Sequence, residues 1–224
     1  SLSYFTLAFP VGKKAGVSVG IQPVSSVGYS LSNINANLTE ANLFSGNGGI
    51  SRFYGSFGVN LLKGFSIGVE GGFSFGNVEN SIVNQRANVT LATKYKEITK
   101  IRGASVTIGA QYKKELKNNL ILDAGATVKF GNDLKVTGND YLYSLTFVGS
   151  GSEAPRDTIS QSTITGNYRL PIKTIFGAGL GKFDKWYVGL EYENQDAIET
   201  TGFFNTTNAA FRYGKSNRLS LGGF

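Results

Sequence analysis

Two carboxylates close together are the strongest candidates for chemistry in this sequence. Glu191 and Glu193 alternate with apolar residues, and alternate residues of a strand face the same side, so both carboxylates belong to one face. Such a pair can contact a cation or a polar solute inside a channel. The plainer interpretation is an ion pair with Lys173 or Arg212 on a neighbouring strand, which would stabilise a sheet without any chemistry.

The residue types that are missing exclude most catalytic and metal-binding arrangements. The 224 residues contain no Cys and no His. An imidazole base, a thiol nucleophile and a zinc site with His or Cys ligands therefore cannot be built, and neither can a disulfide. We expect a protein that is not an enzyme and that needs neither a cofactor nor a metal ion.

The pattern around these carboxylates is a repeated alternation with a period of two residues. In Phe65–Gly76, Phe and aliphatic residues occupy one parity, whereas Gly, Ser and Glu70 occupy the other. Ser51–Leu61 repeats this arrangement, and a tight turn at Leu62–Gly64 joins the two segments into a hairpin. The alternation predicts ten strands, at residues 2–9, 17–31, 51–61, 65–76, 102–112, 120–130, 170–181, 186–193, 206–213 and 218–224.

Strand length and connection length favour a transmembrane barrel over a soluble β-sandwich. Half of the predicted strands have eleven or twelve residues, close to what a tilted strand needs to cross a bilayer. Short turns alternate with long segments, as in outer-membrane barrels. We predict an all-β, antiparallel β-barrel in the bacterial outer membrane, with a soluble sandwich as the alternative. The long segments, predicted to be loops, are 32–49, 77–101, 132–166 and 194–205.

A barrel of this kind would place the polar parity in its lumen. The charged and amide side chains of that parity are the candidate lumen-lining residues. They suit a polar solute about as well as a hydrophobic one. These residues are Glu70, Gln111, Asp123, Lys129, Lys173, Glu191, Glu193 and Arg212.

The positive charge is concentrated in the short turns. The sequence has 22 basic and 15 acidic residues, for a net charge of +7, and ten of the basic residues lie in or beside short turns. This distribution does not form a basic groove with stacking aromatics, so we expect no nucleic-acid partner. A basic rim fits membrane lipids and lipopolysaccharide as partners, or Lys side chains that extend from the membrane edge into water. The ten residues are Lys13, Lys14, Lys63, Lys113, Lys114, Lys117, Lys182, Lys185, Lys215 and Arg218.

One short motif falls in the longest predicted loop. Asp157-Thr158-Ile159 has the form of an acceptor for the O-linked glycosylation of some Gram-negative surface proteins. We therefore predict Thr158 as a possible glycosylation site.

The succession of strands resembles the FadL-type family of long-chain fatty-acid and hydrocarbon transporters of the Gram-negative outer membrane. The resemblance implies a 14-stranded barrel with an N-terminal hatch, through which hydrophobic small molecules pass by diffusion. On this basis we expect residues 1–224 to be one barrel domain, incomplete at both ends. The segments that carry this resemblance are Phe5–Lys14, Gly16–Gly20, Gly48–Arg52, Leu170–Lys173, Lys185–Tyr192 and Arg218–Gly223.

A second hypothesis assigns no transport to the barrel. It would be a structural or accessory subunit of a cell-surface complex, with long loops such as 132–166 as docking surfaces for protein partners. The two hypotheses share the fold and differ in whether a solute crosses.

Overall fold

The computed structural model describes residues 4–149, 151–182, 184–202 and 214–224. In these ranges the chain forms one antiparallel sheet of 12 strands, with one short 3-10 helix at Lys117–Asn119, so the all-β fold class is confirmed. None of the described helical structure is long and apolar enough to cross a membrane. The strands are β1 (Phe5–Val11), β2 (Ala15–Ile34), β3 (Glu40–Leu62), β4 (Phe65–Arg86), β5 (Ala92–Glu115), β6 (Leu120–Lys129), β7 (Asn132–Val148), β8 (Ser152–Leu170), β9 (Lys173–Lys182), β10 (Trp186–Gln195), β11 (Glu199–Gly202) and β12 (Ser216–Gly223).

The strand order describes a simple meander. The main path is β1-β2-β3-β4-β5-β6-β9-β10-β12, while β7 pairs with β5 and β8, and β11 pairs with β8. Both β6 and β7 pair with β5, one after the other along its length, so together they form a single interrupted strand. In the same way β8 and β9 form the next interrupted strand, because β8 pairs with β7 and β9 pairs with β6. Each long strand thus lies beside its neighbour in sequence, as short hairpin connections favour. Among the described pairings, β1 and β12 each have one neighbour.

The sheet divides across its strands into two halves with different surroundings. The lower half ends at the short connections β1–β2, β3–β4, β5–β6 and β9–β10, and its strands alternate between apolar and polar residues. The upper half consists of the far ends of β2–β5 together with β7, β8 and β11, and it carries polar residues on both sides. In residue numbers the lower half is 5–23, 51–76, 103–129, 173–195 and 216–223, and the upper half is 25–50, 77–102, 132–170 and 199–202.

The prediction of long loops is wrong for most of their length. Segments 32–49, 77–101 and 132–166 are largely strand, forming the hairpins β2–β3, β4–β5 and β7–β8. Of segment 194–205, residues up to Gln195 belong to β10, residues 199–202 form β11, and residues 203–205 lie outside the described residues. The strands go on past the apolar segments because Thr, Val, Ile and Tyr maintain strand propensity where both faces become polar. The strand predicted at 206–213 is also outside the described residues.

The predicted apolar face of the lower half is confirmed. Phe73, Ile108 and Leu190 point to the same side as their cross-strand neighbours, and all three are exposed. In contrast, the small buried core lies in the upper half, where Val83, Ala92 and Leu145 pack with Tyr143. The lower half therefore exposes its apolar side chains on one side of the sheet, as expected of a sheet that faces lipid on that side.

Tyrosines lying over glycines pack the side of the sheet opposite the apolar face. Tyr54 covers its cross-strand neighbour Gly20 and its hydroxyl lies 2.7 Å from Thr6 Oγ1 on β1. Tyr29 covers Gly46 in the same way and donates a hydrogen bond of 3.2 Å to Asn80 Oδ1. An aromatic ring thus restores the contacts that a glycine lacks in a strand. Tyr187 does this over Gly179 and Gly181, so the glycine-rich part of β9 allows close packing.

These contacts make Gly46 sensitive to substitution. In Gly46→Ala the added methyl group would collide with the Tyr29 ring and with Asn80, so we expect a loss of about 1–3 kcal/mol in the free energy of unfolding. Denaturant unfolding of the detergent-solubilised protein measures this loss. Gly28→Ala is the matched control, since nothing lies within 4 Å of its added Cβ. Equal stability of the two variants would contradict this packing.

Candidate functional site

The structure brings the candidate lumen residues together on one face. Seven of the eight share the face opposite the exposed Phe and aliphatic residues, on β4, β5, β6, β9 and β10 of the lower half. We call this surface the polar face. Arg212, the eighth candidate, lies outside the described residues. The seven are Glu70, Gln111, Asp123, Lys129, Lys173, Glu191 and Glu193.

The two carboxylates of β10 are held by cations from both neighbouring strands. Lys173 Nζ on β9 lies 2.9 Å from Glu193 Oε1, and Arg218 Nη2 on β12 lies 3.0 Å from Glu193 Oε2. The same Arg218 nitrogen lies 3.5 Å from Glu191 Oε1. Only 12% of the Glu193 side chain is exposed, so its charge is largely removed from water and needs both partners.

The predicted pairing with Lys173 is confirmed for Glu193, and the partner on the other side is Arg218. In the sequence, Arg218 was grouped with the basic residues in or beside short turns, because it follows the short segment 214–217. It is the register partner of Glu193, and it shares the parity of Ser220 on the polar face. That parity was the signal in the sequence that could have identified it.

A second ion pair, on the polar face of β3 and β4, was missed as a site. Arg52 pairs with Glu70, and its guanidinium lies 5.5 Å from the centre of the Tyr54 ring. The side chain crosses Gly72, where an added Cβ would lie 2.5 Å from Arg52 Nε and 3.0 Å from Arg52 Nη2. Gly72 is therefore required for the guanidinium to reach over the sheet. The polar parity of Arg52 and Tyr54 in the sequence already pointed to this face.

The remaining candidates form no arrangement typical of catalysis. Gln111 and Asp123 line a shallow concavity of about 560 Å³ together with Glu191. Lys129 is the register partner of Lys173, which places two cations side by side. In the described part of the chain, no group of three or more Asp or Glu side chains could hold a metal ion. The face can make hydrogen bonds and ion pairs to a polar group.

The upper half has a polar cluster of its own. Tyr95 donates a hydrogen bond of 3.3 Å to Asp140 Oδ2, and Ser162 donates another to the same carboxylate. Burial of the phenol raises the pKa of Tyr95 to about 12, and the nearby negative charges of Asp140 and Glu97 act in the same direction. The phenol thus stays protonated and donates to the carboxylate.

Thr158 is exposed, but it is part of strand β8 and not of a loop. It pairs with Tyr143 next to a register shift in the β7–β8 hairpin. Glycosylation at this residue stays a prediction.

The comparison with protein families decides between the hypotheses on identity. The BamG family model matches residues 1–224. This chain belongs to the BamG family. BamG proteins are outer-membrane components associated with the Bam complex, which confirms the predicted location in the bacterial outer membrane. The chain matches no curated protein and no solved structure.

The resemblance to FadL-type transporters is wrong. The match to BamG extends over the whole chain, and no comparison indicates a FadL-type protein. The segments that carried the resemblance, such as Lys185–Tyr192, alternate apolar and small or charged residues. Any strand with one lipid-facing side needs that alternation, so it does not separate families. The 14 strands, the hatch and the fatty-acid cargo implied by the resemblance lose their basis.

The two-sided pairing of Glu193 predicts unequal roles for the two carboxylates. We expect Glu193→Gln to lower the free energy of unfolding by about 2 kcal/mol, because it leaves Lys173 and Arg218 without their shared charged acceptor. Glu191→Gln is the control and should cost less, since Glu191 has one longer contact. Denaturant unfolding in detergent compares them, and a larger loss for Glu191→Gln would contradict this assignment.

The raised pKa of Tyr95 predicts a stability loss at high pH. The folded state holds the phenolic proton more tightly than the unfolded state, where the pKa is near 10. The contribution of Tyr95 is therefore fully present below pH 10 and is lost as the pH rises to about 12. Unfolding measured across this range should show a steeper decline for the wild type than for Tyr95→Phe. Parallel curves would contradict the shift.

Proposed function

We propose that this protein is an accessory subunit of the Bam complex, anchored in the outer membrane by its lower half and contacting protein partners through its upper half. The observation that carries the proposal is the BamG match over the whole chain. It favours the structural or accessory hypothesis over solute transport, since the expected hydrophobic cargo came from the FadL-type resemblance.

The division of the sheet supports the anchoring role. Strands β6, β9 and β10 have 10 residues each. A tilted strand needs about 9–11 residues to cross the bilayer core. The exposed side chains of the apolar face, such as Phe176 and Val188, would contact acyl chains. We place the short turns toward the periplasm and the extended hairpins outside the cell, as in other outer-membrane proteins.

Pairing of charges across the polar face supports a structural role for that face. Glu70 and Glu193 are both neutralised by cations from adjacent strands. Such pairs fix the positions of neighbouring strands, and they leave fewer free charges for a passing solute. A rigid scaffold that carries a partner is consistent with this arrangement.

A strained residue at the end of the β2–β3 hairpin is the best candidate for a partner contact. Leu38 has a φ of 56°, a left-handed conformation that is unfavourable for a bulky side chain. Its side chain is 76% exposed. Asn35 Oδ1 fixes the turn by accepting hydrogen bonds of 2.8 Å from Thr39 N and 3.1 Å from Glu40 N. A strained side chain that stays this exposed fits a role in contact with another molecule.

The proposal predicts that Leu38 matters for assembly and not for folding. We expect tagged Leu38→Asn to keep or slightly raise its stability, because Asn accepts the left-handed conformation more readily. It should also recover less of the Bam complex than the wild type after affinity purification in mild detergent. Quantitative mass spectrometry of the co-purified Bam subunits measures the recovery.

Leu91→Asn is the matched control, since Leu91 is also an exposed leucine and lies in the connection of another hairpin, β4–β5. It should recover the complex at the wild-type level. If the wild-type protein purifies without Bam subunits and conducts solutes in reconstituted vesicles, the accessory role is wrong and transport is favoured. If the wild-type protein purifies with Bam subunits and Leu38→Asn recovers the same amount of them, the subunit role stands and the contact lies elsewhere.

A further inference from the structure

Three exposed cations lie together where the apolar face ends. Arg102 on β5 is the register partner of Lys135 on β7, and Lys100 follows two residues along β5. The strand register from β4 through β5 to β7 continues without a shift at these positions, so all three share the side of the sheet that bears Phe73 and Phe75. We call Lys100, Arg102 and Lys135 the cationic patch.

The charge of the cationic patch is not compensated within the described residues. The carboxylates nearby on this side have other partners. Glu79 lies 2.8 Å from Lys96, Glu153 lies 2.6 Å from Lys94, and Asp133 lies 3.9 Å from Arg169. No described ion pair includes any of the three patch residues. Like charges on adjacent strands repel, so the arrangement calls for an anionic partner from outside the chain.

The surroundings of the patch are polar on one side and apolar on the other. Arg102 is the register partner of Phe75. The rings of Phe73 and Phe75 are stacked, with their centres 6.5 Å apart, and 46% of Phe73 and 41% of Phe75 are exposed. In the other direction along the strands, Lys100 lies between Asn77 and Thr137, which can donate hydrogen bonds to an anion. A ligand that contacts both the polar and the apolar side of the patch therefore needs an anionic headgroup and an apolar chain.

We propose that the cationic patch binds the phosphate-bearing headgroup of a membrane lipid, whose acyl chains lie against Phe73 and Phe75. This inference rests on the membrane position given under the proposed function. A free phosphate would use the cations but not the rings. A nucleic acid would need aromatic rings interleaved with the cations, whereas here the rings lie together on the apolar side.

Native mass spectrometry of the whole protein in dodecyl maltoside, titrated with phosphatidic acid, tests the proposal. The comparison lipid is phosphatidylcholine of the same acyl chains, and inorganic phosphate is the competitor. We expect the wild type to bind phosphatidic acid more tightly than phosphatidylcholine. In the triple variant K100Q/R102Q/K135Q this binding should weaken about 100-fold, roughly a factor of five for each cation.

Two matched variants separate the site from general charge and from misfolding. K13Q/K63Q/K113Q removes the same charge from exposed turn lysines at the opposite end, and it should keep the tight binding. K100R/R102K/K135R keeps the charge of the patch and should also bind. Heat-dependent mobility in gel electrophoresis checks that each variant is folded.

Three outcomes would overturn the inference. They are equal affinity of the wild type for the two lipids, an equal loss in the turn variant, and displacement of the lipid by inorganic phosphate at similar concentration. The last would indicate a site for free anions. If any of these occurs while co-purification with the Bam complex is intact, the lipid site fails and the accessory role stands. If the protein binds the lipid as expected but does not co-purify with the Bam complex, the lipid site stands and the accessory role fails.

Discussion

The register of the antiparallel ladder is the constraint on which this structure depends. β3 and β4 pair from Glu40↔Arg86 down to Leu62↔Phe65, with a single shift near the short turn. Because side chains alternate with a period of two, a slip of one residue would turn Phe73 to the polar face and Glu70 toward lipid. One continuous register therefore fixes the apolar face, the ion pairs and the cationic patch together.

Glycine placement is the second requirement, and it follows from the first. Once the register sets Tyr54 opposite Gly20 and Tyr29 opposite Gly46, each ring lies across the neighbouring strand. Arg52 uses Gly72 in the same manner to reach Glu70 and Tyr54. A face packed by long side chains over glycines can be filled without a conventional core, which explains why the few fully buried apolar residues lie in the upper half.

Alternation made the lower half predictable from the sequence. It gave the strands around Phe65–Gly76 and Leu120–Lys129, the short turns, and the shared face of the seven described candidates. The upper half was misassigned because polar residues on both faces, as in Thr93–Lys100, remove the contrast on which the prediction depends. Arg218 was predicted as the first residue of the strand 218–224 and grouped with the turn cations, but its partner Glu193 is set by the register with β10, which no local pattern reveals. Family membership could not be derived, since lipid-facing alternation is common to unrelated barrels.

The positions of the charges separate the parts of the molecule that need a partner from those that do not. Among the described residues of the polar face away from the turns, the cations Arg52, Lys129, Lys173 and Arg218 are matched in number by Glu70, Asp123, Glu191 and Glu193. The net charge of +7 must therefore arise elsewhere. It arises mainly in the turn lysines and in the cationic patch, which border the apolar face at its two ends. A scaffold whose polar face is neutral and whose margins are basic is suited to holding a fixed position in the membrane. The proposed accessory subunit would need such a position to present the β2–β3 turn to a partner.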